Sequence, residues 1–181
     1  MPRLLQALAG AAHGGAEMHF LRLCLALHRA GVEQRVVIRP HPNFLETLRA
    51  GGIEPVTAPF GGFFDRQTGK ILRREIADFR PEVVLTYMNR ASAVMPRGDF
   101  VHLARLGGYY SMKYYRNCDH LVCVTPDLKA HCVKNGFPTE RVHVVTNFVD
   151  DLSGAAPFDR AELDTPADAP LVFALGRLHE N

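Results

Sequence analysis

Three short stretches hold most of the residues that could do chemistry. The first is "LAGAAHGGAEMHFLRLCLAL", where an apolar run ends at Gly10 and a helix-like segment opens after the Gly14-Gly15 pair. Paired glycines at such a junction let backbone N–H groups come close to a ligand, and the helix N-terminus that follows favours an anion. A plain turn explains the same residues, and both readings stand. Glu17 falls in the first helical turn. It either answers the helix dipole or offers a carboxylate to a bound hydroxyl.

The second stretch is "ARLGGYYSMKYYRN" (Ala104–Asn117). It holds Gly107-Gly108, four of the five tyrosines, and Arg105, Lys113 and Arg116. Tyr109 and its neighbours could stack on a sugar ring and donate hydrogen bonds, or pack the helix that follows. The third is "TYMNRAS", with Asn89 and Arg90. An arginine there could grip a phosphate or carboxylate, or cap a neighbouring element.

Other site types are set aside by spacing. A dinucleotide loop needs GxGxxG and an acid after the second strand; this chain has Gly10-x-x-x-Gly14-Gly15, then Arg39-Pro40. No GK[ST] is present, so a phosphate-binding P-loop is excluded. The four cysteines form no CxxC pair and the nine histidines no HExxH, so no metal site is expected. Reduced, buried thiols in a cytoplasmic protein are expected instead. A formal charge of +2 does not suggest a nucleic-acid partner. No apolar run reaches the ~18 residues of a membrane span. No signal peptide is read at the N-terminus.

The elements that must position these residues alternate. Strands are expected at Arg3–Ala9, Gln34–Arg39, Ile53–Ala58, Glu82–Met88, Asp99–Leu106, His120–Thr125 and Arg141–Asn147. Helices are expected at Gly15–Ala30, from Asn43 to Gly51, at Lys70–Phe79 and at Pro126–Asn135, with Phe60–Gly69 as a loop. The strands are apolar throughout, the pattern of a parallel sheet covered on both faces. The fold class is therefore α/β, a doubly wound, mostly parallel Rossmann-like sheet over residues 1–150. Residues 151–170 read as a linker with a short turn at Asp159–Leu163. "LVFALGRL" (Leu171–Leu178) reads as the first strand of a second domain spanning 171–181. The chain is thus expected to be the front half of a larger protein.

"HGGAE", "VVTNFVD" (Val144–Asp150) and "FALGRL" (Phe173–Leu178), in this order, resemble the retaining glycosyltransferases of family 4, which have the GT-B fold. The middle segments are similar to members that build lipopolysaccharide core or related cell-surface glycans. The resemblance implies a nucleotide-sugar donor (UDP-, GDP- or ADP-linked), no other cofactor, and a glycan or lipid-linked acceptor. It implies that Gly14 and Gly15 lie near the donor phosphates and that Arg177 is aimed at the donor diphosphate. It leaves Glu17, Asn89, Arg90, Arg105, Gly107, Gly108 and Tyr109 as acceptor-side candidates. Phe148 stands where many members have glycine. Many members also carry a histidine at the end of strand five, where this chain has Arg105, so no catalytic residue is assigned. The expected location is cytoplasmic; peripheral contact with the inner face of the membrane stays open. The competing readings are a GT-B-like nucleotide-sugar epimerase and a non-catalytic flavodoxin-like binding domain.

Overall fold

The computed structural model describes residues 2–12, 14–62, 65–149, 153–156, 158–163, 165–166, 168–172 and 174. Seven strands pair in parallel in the order β3-β2-β1-β4-β5-β6-β7. They are β1 (Leu4–Leu8), β2 (Gln34–Ile38), β3 (Val56–Thr57), β4 (Val83–Tyr87), β5 (Val101–Leu106), β6 (His120–Cys123) and β7 (Val142–Val144). The helices are α1 (Gly15–Arg29), α2 (Pro42–Ala50), α3 (Arg66–Phe79), α4 (Met88–Val94) and α5 (Pro126–Lys134). This is the expected doubly wound α/β sheet.

Strand side chains alternate between two apolar layers. Leu5, Ala7, Val37 and Val84 meet Leu72 of α3 and Ala91 of α4 on one face. Leu8, Val36, Ile38 and Tyr87 meet Phe20, Leu21 and Cys24 of α1 and Phe44 and Leu48 of α2 on the other. A third cluster joins β5 and β6 to α5 through Ala104, Leu121, Cys123, Leu128 and Cys132. All four cysteines are buried and free.

The strand order reverses between β1 and β4. Chain segments after β1 wind toward β3, and those after β4 wind toward β7. At this switch point Leu8 and Tyr87 lie side by side at the carboxyl ends of their strands. Open α/β sheets bind ligands there because the loops on either side diverge and leave a crevice.

Several elements differ from expectation. Helix α3 starts at Arg66, inside the stretch expected to be a loop. The Asp65 carboxylate caps it, accepting from the Thr68 N–H at 3.0 Å and holding the Gly61 N–H at 2.7 Å. Such a cap outweighs the weak helix propensity of the Gly69 turn. β3 shortens to two residues, because only Val56 and Thr57 pair with β2. The sequence reading has no helix after β4, yet α4 begins directly at Met88. The chain turns within one residue there: Met88 has φ 65°, an uncommon value for a side-chain-bearing residue.

The chain divides into two units, Met1–Phe148 and Val149–Asn181. Described residues of the second unit include a 3-10 turn at Arg160–Leu163, where a short turn is expected. Of the stretch 171–178, Leu171, Val172 and Ala174 are described and carry no strand pairing. Arg177 lies outside the described residues. Among the described residues, no helix is long and apolar enough to cross a membrane.

Candidate active site at the carboxyl edge of the sheet

The first loop splits its glycines between two roles. Gly14 is the N-cap of α1, with no side-chain cap on the first turn. Glu17 is 3% exposed, and its carboxylate folds back under the loop to accept the Ala11 N–H at 2.9 Å. A Cβ on Gly14 would fall 2.1 Å from Glu17 Oε2, and one on Gly10 would fall 2.8 Å from Glu17 Cγ. Gly10 and Gly14 therefore make room for a buried carboxylate. Gly15 differs: a Cβ there would meet nothing within 4 Å, and the residue is exposed. Of the two readings of Glu17, the geometry supports a brace that also sits favourably in the first turn of α1.

Arginines stitch the neighbouring loops. Arg39, at the end of β2, donates to the carbonyls of Pro59 at 3.2 Å, Gly10 at 3.5 Å and Phe60. Arg90 donates to the same Phe60 carbonyl at 3.1 Å. Arg90 thus reaches back toward the β3 side and holds a loop. Burial, then the charge of Arg90, bring the Arg39 guanidinium below its usual range. Asn89 is half-buried on α4 and makes no side-chain hydrogen bond among the described residues.

Arg105 stands apart. It ends up opposite Tyr87 in the β4–β5 register and is 5% exposed. Its guanidinium lies over the Tyr87 ring, 5.6 Å from the centroid, and donates through Nη2 to Asn147 Oδ1. Among the described residues, no carboxylate pairs with it. Burial lowers its pKa, because charge is disfavoured where water is excluded. His19 of α1 completes the group. Its ring is 6.1 Å from Tyr87 and 4.9 Å from Phe148, which meets it edge-on. His19 Nδ1 is buried and has no hydrogen-bond partner among the described residues. Burial first, then the charges of Arg105 and Arg22, lower its pKa to about 4, so the ring is neutral near pH 7.

The tyrosine segment turns the other way. Tyr109 is 65% exposed, but its hydroxyl donates to Asp127 and its ring meets His131 edge-on at 5.1 Å, both on α5. Gly107 is exposed with open space beside it, and Gly108 backs onto the Tyr110 ring. Tyr115 is fully buried in the β5–β6–α5 cluster. His102, inside β5, is held by Thr86 Oγ1 at 2.9 Å and the Asn117 carbonyl at 3.1 Å. It is a satisfied core histidine. The structure thus gathers Gly14, Gly15 and Glu17 around one loop and brings Arg105 to the same sheet edge. It ties Arg90 and Tyr109 to flanking elements.

Sequence reasoning did not single out His19 or Tyr87. The available signal was positional. Tyr87 is the last residue of a strand at the switch point, and His19 lies four residues into the helix that opens there.

Comparison with known proteins fits this architecture. Residues 13–151 match the sequence profile of Glycosyltransferase Family 4. The chain belongs to glycosyltransferase family 4. A relative from Rhizobium meliloti (strain 1021), lipopolysaccharide core biosynthesis glycosyltransferase LpsD, is 37% identical over 172 residues. The match covers 91% of this chain and 48% of that protein, so the chain spans about half the length of this relative. Among solved structures, a glycosyltransferase from Rickettsia africae ESF-5 superposes with a TM-score of 0.73 at 16% identity, covering 93% of this chain and 51% of that one. Anabaena Alr3699/HepE in complex with UDP-glucose gives 0.65 at 12% identity, covering 83% and 45%. These two likenesses establish the fold, and the profile establishes family 4 membership. Family 4 membership matches the first of the three readings open from sequence.

Proposed function

We propose that this family 4 chain forms the acceptor-side half of a glycosyltransferase, one wall of a cleft whose other wall is a nucleotide-sugar domain. The donor is a UDP-, GDP- or ADP-linked sugar, and the acceptor is a lipopolysaccharide-core or related glycan, free or lipid-linked. Transfer retains the anomeric configuration. The acceptor oxygen attacks on the face from which the nucleoside diphosphate leaves.

Such a step needs stabilisation of the departing diphosphate more than a protein nucleophile. The uncapped first turn of α1 at Gly14 and Gly15 suits that role, and the family resemblance assigns Arg177 to the same diphosphate. Asn89, Gly107, Gly108 and Tyr109 serve the acceptor side. The reaction takes place in the cytoplasm, with peripheral contact at the inner membrane face. The observation that carries the reading is that an uncapped helix N-terminus and a buried arginine, with no acidic partner among the described residues, both stand at the carboxyl edge of the sheet around the β1–β4 switch point. The named relatives support the substrate class.

Because half of the donor site would lie elsewhere, residues 1–181 alone should show no sugar transfer. Release of nucleoside diphosphate from UDP-, GDP- and ADP-hexoses checks this. Sustained turnover by the 181-residue chain would contradict the division of the site.

A further inference from the structure

We propose that Arg105, framed by Tyr87, Asn147 and His19, is a binding subsite for an oxyanion, a carboxylate or phosphate, carried by a sugar substrate. That a sugar carries the group rests on the function proposed above; the subsite itself rests on the geometry.

A buried guanidinium is costly unless a counter-charge accompanies it. Arg105 is 5% exposed, and its guanidinium contacts the Tyr87 ring and Asn147 Oδ1, neither of them charged. The Tyr87 ring offers a π face and Asn147 an amide oxygen. Both orient the cation and neither neutralises it. A purely structural arginine in such a place would be expected to face an acid, as Arg35 does in pairing with the buried Glu75 carboxylate on α3.

The neighbouring groups point the same way. Nη2 is engaged by Asn147, which fixes the guanidinium plane and leaves its Nε and Nη1 without a hydrogen bond among the described residues. The second N–H of Nη2, together with the Nε–H or an Nη1–H, still forms a two-donor edge that matches the two oxygens of a carboxylate or phosphate. His19, 8% exposed, presents an unpartnered ring nitrogen beside it. A neutral imidazole can donate one hydrogen bond to an anion without adding charge. The group sits at the end of β5, next to the switch point, where substrates of open α/β sheets lie. Two sources could supply the oxyanion: an acidic sugar in the acceptor, or the diphosphate of the donor.

The test uses the chain labelled with 15N-arginine and 15N-histidine and watches the Arg105 Nε–Hε and His19 ring signals. Sodium glucuronate, inorganic phosphate and UDP are titrated at constant ionic strength, with chloride as control. The expected result is a saturable shift of both signals with at least one of the oxyanions and none with chloride. Arg105→Gln should weaken that binding at least tenfold. Arg105→Lys, which keeps the charge but not the fork, should weaken it by a smaller factor. Glucuronate binding that UDP does not displace assigns the subsite to an acidic acceptor sugar, and displacement by UDP assigns it to the donor diphosphate. No saturable shift in the wild-type chain overturns the subsite without reliance on any variant, as does unchanged affinity in Arg105→Gln. Sugar transfer by a polypeptide that joins this chain to the proposed nucleotide-sugar domain is scored separately. Transfer without oxyanion binding overturns the subsite alone, and binding without transfer supports the subsite while overturning the transfer reading.

Discussion

Gly14→Ala is expected to destabilise the domain by about 2 kcal/mol, and most of that loss should vanish when Glu17 is also alanine. The new Cβ would fall 2.1 Å from Glu17 Oε2, so the buried carboxylate must leave its place. Its charge-assisted bond from the Ala11 N–H is then lost, and such bonds contribute roughly 1.5–3 kcal/mol. Gly14 itself has φ 165°, an extended conformation that alanine adopts freely. The conflict is therefore with Glu17 and not with the backbone. In a Glu17→Ala background, Gly14→Ala should cost less than about 0.5 kcal/mol, and the coupling should reach about 1.5 kcal/mol. Urea denaturation of the four proteins measures it; additive effects would show that Glu17 does not brace the loop. Gly15→Ala is the control. Its Cβ would enter open space, so stability should move by less than about 0.5 kcal/mol.

The other large effect lies away from the site. Glu75 of α3 is 3% exposed and its carboxylate accepts from Arg35 of β2 and, at 2.8 Å, from Arg74. Arg35 also lies over the Phe79 ring, 5.2 Å from its centroid. Removing one member of a buried ion pair costs about 3–5 kcal/mol when the other charge stays buried. Here the arginine side chains are 35% and 65% exposed and can rehydrate. Glu75→Ala should therefore cost nearer 2 kcal/mol, from the lost pairing and packing between α3 and β2. Glu75→Leu combined with Arg35→Met should recover most of it, since apolar replacement of a buried pair is often near neutral. Denaturant midpoints check both. A double variant no better than Glu75→Ala would show that packing, and not charge, carries the contact.

The sheet was readable because β1, β2, β4 and β6 lie in short, mostly apolar runs that alternate with helix-like segments. Such runs permit only a covered parallel sheet. The start of α3 was harder, because Gly61, Gly62 and Gly69 carry turn chemistry while the deciding signal is the one Asp65 cap. Helix α4 was missed because Met88 takes a left-handed backbone turn that no glycine or asparagine advertises. At the site, the Gly14-Gly15 pair was legible as a special loop, but not which glycine served Glu17 and which faced open space. That distinction depends on a side chain folding back from three residues downstream. Arg105 was legible as a charged residue at a strand end. That no described acid pairs with it is a tertiary fact, set by Tyr87, Asn147 and His19 from three other parts of the chain.

The most direct test of the transfer reading follows the sugar itself. A polypeptide in which this chain is joined to the proposed nucleotide-sugar domain is incubated with nucleotide-sugars labelled in the sugar, with and without free or lipid-linked glycan acceptors. The account predicts that label moves to the acceptor as nucleoside diphosphate is released in equal amount, and that both require the acceptor. Conversion of the nucleotide-sugar to an epimer without acceptor, with no label transferred, would contradict it.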